Sequence, residues 1–161
     1  MLKHKQYSLN SNYIAYICQM NEFLTAELIG KSSRLLSNNL SQKLHTKNLE
    51  LTTEQWIILQ ILSNDSKSQK ELVTITLKNK ASINSLVSNL LKLGLITKTV
   101  SKTDKRRTII STTNAGNKIR TEANKIAYNS INESFVGFAP DEIKQLNEFL
   151  NRINNNLLKE K

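Results

Sequence analysis

Three groups of side chains in this sequence could do chemistry on a polyanion. Lys98, Lys102, Lys105, Arg106 and Arg107 set five cations around a short polar stretch, with Asp104 among them. Cations clustered in this way neutralise phosphates and release condensed counterions. Upstream, Lys80 precedes Ser82, Asn84, Ser85, Ser88 and Asn89, a set of hydroxyl and amide groups at helical spacing. Amides can pair with adenine, whereas hydroxyls discriminate bases weakly. Ser68, Gln69 and Lys70 make a third, smaller set suited to phosphate oxygens. A charge run is more often a solvated loop than a site, so these residues acquire meaning from the elements that carry them.

Ser68-Gln69-Lys70-Glu71 fits a capping box and opens a predicted helix of about eight residues ending near Leu77. Asn79 then caps a second helix with Ile83, Leu86, Val87, Leu90 and Leu91 on one face, stopping at Gly94. Residues 95–100 and 108–112 are rich in β-branched residues and flank the basic stretch, a pattern that predicts a β-hairpin with a charged tip. The order is helix, turn, helix, wing: a recognition helix for the major groove and a hairpin tip for neighbouring backbone or minor groove.

The surrounding elements are helical. Apolar residues recur at steps of three or four over residues 9 to 44, predicting one long amphipathic helix or two abutting ones, with Gly30 as a candidate bend or close crossing. Thr52 and Gln55 form another capping box before a helix dominated by Trp56, Ile57, Ile58, Leu59, Ile61 and Leu62. Thr113 caps a later helix ending near Gly137, and Pro140 opens the last, which carries Ile143, Leu146, Leu150, Ile153 and Leu157 on one face. The surplus apolar surface of the first helix implies packing against a second chain. The fold class expected is mainly α with a small β-hairpin wing. A winged helix-turn-helix lobe spans residues 49–113, and residues 1–48 and 114–161 form a helical dimerisation region.

Composition agrees with this assignment. The 161 residues carry 23 Lys and Arg against 13 Asp and Glu, a formal net charge of +10 that favours a polyanionic partner. No apolar run reaches the ~20 residues of a membrane span, and the polar start predicts a cytoplasmic protein. One cysteine, Cys18, excludes an intramolecular disulfide, and His4 and His45 have no metal-ligand spacing. There is no phosphate-binding loop, nucleophile elbow or metalloprotease motif, so neither enzyme activity nor a cofactor or metal is expected.

Four segments resemble the MarR family of transcription regulators. LTTEQWIILQIL is similar to the helix before the recognition motif, and KELVTITLKNKASINSLVSNLLKLGLI to the helix-turn-helix. TDKRRTIISTTNAG resembles the wing and its exit, with the D-x-R signature on Asp104 and Arg106, and FAPDEIKQLNEFL the start of the final helix. The resemblance implies a homodimer whose terminal helices interleave and which binds an inverted-repeat operator in double-stranded DNA, usually as a repressor. It implies that Arg106 enters the minor groove, where a narrow groove attracts arginine, and that Asp104 holds the wing cations. It also implies a small aromatic effector in a cleft that Tyr16, Phe23, Trp56 and Tyr128 could line. The recognition helix departs from the family pattern, since no Lys or Arg stands between Lys80 and Lys92. Two other readings of the same residues remain: a non-specific or architectural DNA-binding protein, and a winged-helix module for an acidic protein partner. Replacing Lys102 by Ala is expected to weaken binding to all DNA sequences alike and to flatten its salt dependence, measurable by titration at several salt concentrations.

Overall fold

The structure, a computed structural model, describes residues 11–100 and 108–159, with side chains from residue 20 onward. Its first element, α1 (Ser11–Thr46), is one helix of 36 residues, about 54 Å long at 1.5 Å per residue. It runs uninterrupted through Gly30. A Cβ there would meet only the end of the Arg34 side chain at 3.7 Å, so the glycine marks neither a bend nor a tight crossing within the chain. The far end of α1 enters the core through Leu40 and Leu44.

Capping chemistry defines where the next helices begin. The Thr52 hydroxyl accepts from the Gln55 N–H at 3.2 Å, and Gln55 Oε1 accepts from the Thr52 N–H at 2.8 Å, opening α2 (Thr53–Asn64). Thr53 also binds back to α1, donating to the Ser37 carbonyl at 2.8 Å and meeting the Ser41 hydroxyl at 2.9 Å. Of the apolar residues of α2, Ile58, Leu59 and Leu62 are buried, Trp56 and Ile61 are partly so, and Ile57 faces outward. The second capping box, Ser68 with Glu71, opens α3 (Gln69–Thr76), and Asn79 opens α4 (Lys80–Lys92) by accepting from the Ser82 N–H at 2.8 Å.

The wing is a three-stranded sheet rather than the two-stranded hairpin expected. β1 (Lys67–Ser68) pairs with β3 (Thr108–Thr112), which pairs with β2 (Ile96–Val100), all antiparallel, with Lys67 and Lys98 both opposite Ile110. Two helices follow, α5 (Asn114–Ser134) and α6 (Pro140–Lys159). The core joins Leu40 and Leu44 of α1 to Ile58, Leu72, Ile83, Val87, Leu90, Ile110, Ala123 and Ala127. No residue of α6 is buried.

One close approach ties the wing to α5. The N–H of Thr113 donates to the Leu95 carbonyl at 3.1 Å, and its hydroxyl donates to the Gly94 carbonyl at 2.8 Å while accepting from the Gly116 N–H at 3.0 Å. Gly116 then lies so near that a Cβ would stand 2.0 Å from the Leu95 oxygen. Because the obstacle is backbone, it cannot swing aside. Gly116→Ala is therefore expected to cost about 3 kcal/mol, the upper end for an overpacked site, seen as a lower urea midpoint without a change in slope.

Candidate nucleic-acid interface

The face of α4 turned from the core is the geometric centre of the site. Ile83, Val87 and Leu90 are buried, and at 100° per residue the opposite side carries Ala81, Asn84, Ser85, Ser88, Asn89 and Lys92, all exposed. Lys80 and Lys92 lie at its two ends. Ser82 sits at the boundary with the core and is half-buried, so the outward face holds Asn84, Ser85, Ser88 and Asn89, with Ser82 at its edge. Ala81 and Lys92 belong to it and were missed from the sequence; the spacing 81, 85, 88, 92 is the signal that finds them.

The turn before α4 is built under strain. Leu77 occupies the left-handed region with φ 55 although it is not glycine, and its side chain is exposed. A non-glycine residue there costs roughly 1–2 kcal/mol, a cost carried by the packing of Leu72 below and Ile83 above.

Ser68, expected to contact phosphate, is buried in the structure. Its hydroxyl donates to Glu71 Oε2 and accepts from the Glu71 N–H, so the capping box consumes it. Gln69 is half-buried, and its Nε2 has no partner among the described residues. Lys70 alone of the three presents an exposed charge. Lys67 on β1 hydrogen-bonds Asp65 at 3.0 Å, and that bond, with the charge behind it, holds the Asp65 carboxyl below the usual carboxylate range. Lys98 on β2 is exposed, whereas Lys102, Asp104, Lys105, Arg106 and Arg107 lie outside the described residues. In the sequence, ten of the 23 Lys and Arg but only two of the 13 Asp and Glu fall within residues 66–107, so the positive charge is concentrated on the segment from β1 through the wing.

Among the described residues, the aromatics considered for an effector cleft do not form one enclosed cluster within the chain. Trp56 is partly buried between α2 and α5, its indole N–H donating to Asn124 Oδ1 at 2.8 Å, while Phe23 and Tyr128 are 76% and 68% exposed. The Tyr16 and Cys18 side chains and His4 lie outside the described residues; His45 is exposed. An open recess of about 440 Å³ on α5 is lined by Asn124, Lys125, Tyr128 and Asn129. Among the described residues there is no cluster of metal-binding side chains, and no helix is long and apolar enough to cross a membrane.

Comparison with known proteins agrees with this geometry. The sequence model of the MarR family matches residues 49–107. The transcriptional regulator BldR from Sulfolobus solfataricus superposes with a TM-score of 0.77 at 24% identity, over 84% of this chain and 96% of that one. A putative MarR family regulator from Listeria monocytogenes, solved in complex with a 26mer DNA, gives 0.75 at 26% identity over 84% and 89%. BpsR from Bordetella bronchiseptica, whose structure concerns regulation of its DNA binding by 6-hydroxynicotinic acid, gives 0.72 at 18% identity over 81% and 98%. No curated protein matches by sequence. Residues 49–107 thus match the MarR family model, and the chain shares its fold with solved MarR-type transcription regulators.

If α4 lies in a groove, the lysines at its ends bracket phosphates rather than bases. Lys80→Ala and Lys92→Ala are each expected to weaken specific and non-specific duplexes by the same factor and to reduce the slope of log affinity against log salt by about one, read from anisotropy titrations.

Proposed function

We propose that this protein is a cytoplasmic, non-enzymatic transcription regulator that binds an inverted-repeat operator as a homodimer. The observation that carries the DNA-binding part is the α4 face: short polar side chains, exposed together, between two lysines and beside a basic wing. A face of that composition suits base edges in the major groove, and the wing cations Lys98, Lys102, Lys105, Arg106 and Arg107 supply phosphate contacts, with Arg106 in the minor groove and Asp104 as its brace.

The apolar faces left uncovered support the homodimer. Leu24, Leu28 and Leu35 of α1 and Phe149, Ile153 and Leu157 of α6 are exposed at helical spacing, with Tyr128 and Ile131 on α5. Covering such side chains stabilises by about 1.5–3 kcal/mol each when burial is complete, and a second copy brings the same surface with two-fold symmetry. On this reading the helices outside residues 49–113 form the dimerisation region, and the two recognition helices fall one helical turn of DNA apart. A small aromatic effector would relieve repression by binding better to a dimer shape that DNA disfavours. Its site would be shared between chains, since Phe23 and Tyr128 are not brought to Trp56 within one.

Selection of bound duplexes from a random pool at two salt concentrations tests this function. Recovery of an inverted repeat with half-site centres about one helical turn apart is the expected result. A pool without a motif, whose binding vanishes at the higher salt, would mean non-specific binding or a protein-interaction module. The dimer is tested separately. Ile153→Glu with Leu157→Glu is expected to sediment as a monomer and to lose operator binding, and an unchanged dimer would place the interface elsewhere.

A further inference from the structure

The composition of the α4 face restricts which bases it can read. Guanine is read best by a bidentate arginine or lysine on O6 and N7, and from Ala81 to Leu91 the helix has neither. Asn84 offers the complementary chemistry: one amide with a donor and an acceptor side by side, matching N6 and N7 of adenine. Its amide makes no hydrogen bond among the described residues, in contrast to Asn79, whose Oδ1 caps the helix. One turn earlier on the same face, the exposed methyl of Ala81 is the right size and polarity for the C5-methyl of thymine. Recognition helices present their N-terminal residues to base edges, which favours Ala81, Asn84 and Ser85 over Asn89 and Lys92 at the far end.

From these observations we infer that α4 reads adjacent A·T pairs at the centre of each half-site, Asn84 pairing with an adenine and Ala81 meeting a thymine methyl. The inference rests on the DNA-binding function proposed above and names the bases that function selects. Ser85 and Ser88 are too short to displace this choice, and the lysines at the helix ends add affinity without sequence preference.

The test compares motifs selected from a random duplex pool by the wild type, Asn84→Ala and Ser85→Arg. The wild type is expected to recover A·T pairs at the half-site centre. Asn84→Ala is expected to lose roughly fivefold to a hundredfold of the preference at one of them and keep the rest. Ser85→Arg, which adds a guanidinium to the same face, is expected to shift a neighbouring position toward G·C. Replacing the critical adenine by 7-deazaadenine, which lacks the N7 acceptor, should weaken the wild type by a similar factor and leave Asn84→Ala unaffected. A G·C pair at the position sensitive to Asn84, an unchanged motif for Ser85→Arg, or equal sensitivity of both proteins to 7-deazaadenine would overturn the inference while the regulatory function stood. Failure of the wild type to select any motif would overturn the function, and the inference with it.

Discussion

The carbonyl oxygen of Leu95 is the point on which the arrangement of the wing depends. It accepts the Thr113 N–H as the chain leaves the sheet and packs against the bare Cα of Gly116 at the first turn of α5, while the N–H of the same residue donates to the Leu90 carbonyl to close the helix-to-strand turn. Both ends of the hairpin are thereby pinned to one peptide group. Because Leu95 and Ile96 are buried, that group has no water to turn to if the contact is lost. This junction, together with the Trp56–Asn124 and Arg120–Gln60 hydrogen bonds and the burial of Ala123 and Ala127, holds the wing and α4 in a defined relation to α5.

A division of labour between the helices follows from where their apolar residues go. Among the described residues, the core is assembled from the end of α1, the winged lobe and the inner face of α5; residues 20–28 of α1 and all of α6 contribute no buried residue to it. A single 161-residue chain could have buried those leucines in itself. Instead the Lys43–Glu133 ion pair is a rim contact between α1 and α5, partly exposed on both sides and worth little in energy. Stability in the lobe and adhesion outside it are thus carried by different residues.

Much of this was legible in the sequence because the signals are local. Thr52 with Gln55, Ser68 with Glu71, Asn79 and Thr113 each act within one helical turn, and the structure uses each as a cap. β1 was not legible. Ser68 read only as the cap of α3 and Lys67 gave no signal, and their partners Ile109 and Ile110 are some forty positions away, so no local pattern reports the pairing. The same juxtaposition explains Ser68: a serine good enough to cap a helix and lie in a sheet has no hydroxyl left for phosphate. Ala81 escaped notice because a methyl has no chemistry until the face it stands on is known. The aromatic cleft is not decided by one chain for a related reason, since helical periodicity shows that Phe23 and Tyr128 are on a face but not what that face meets.

The uncovered face of α6 also bears on how the chain matures. A helix of twenty residues in which nothing is fully buried is marginal in water, and ordering each residue costs about 1–2 kcal/mol of backbone entropy. If a second copy covers α6, as proposed, that cost falls on the association rather than on the folding of the lobe. A newly made chain would then begin as a finished winged helix with an unfinished tail, open to proteolysis until it met its partner. The abundance of the protein would enter its own survival as a threshold, with scarce chains cleared and a lasting population building up only above a certain rate of synthesis.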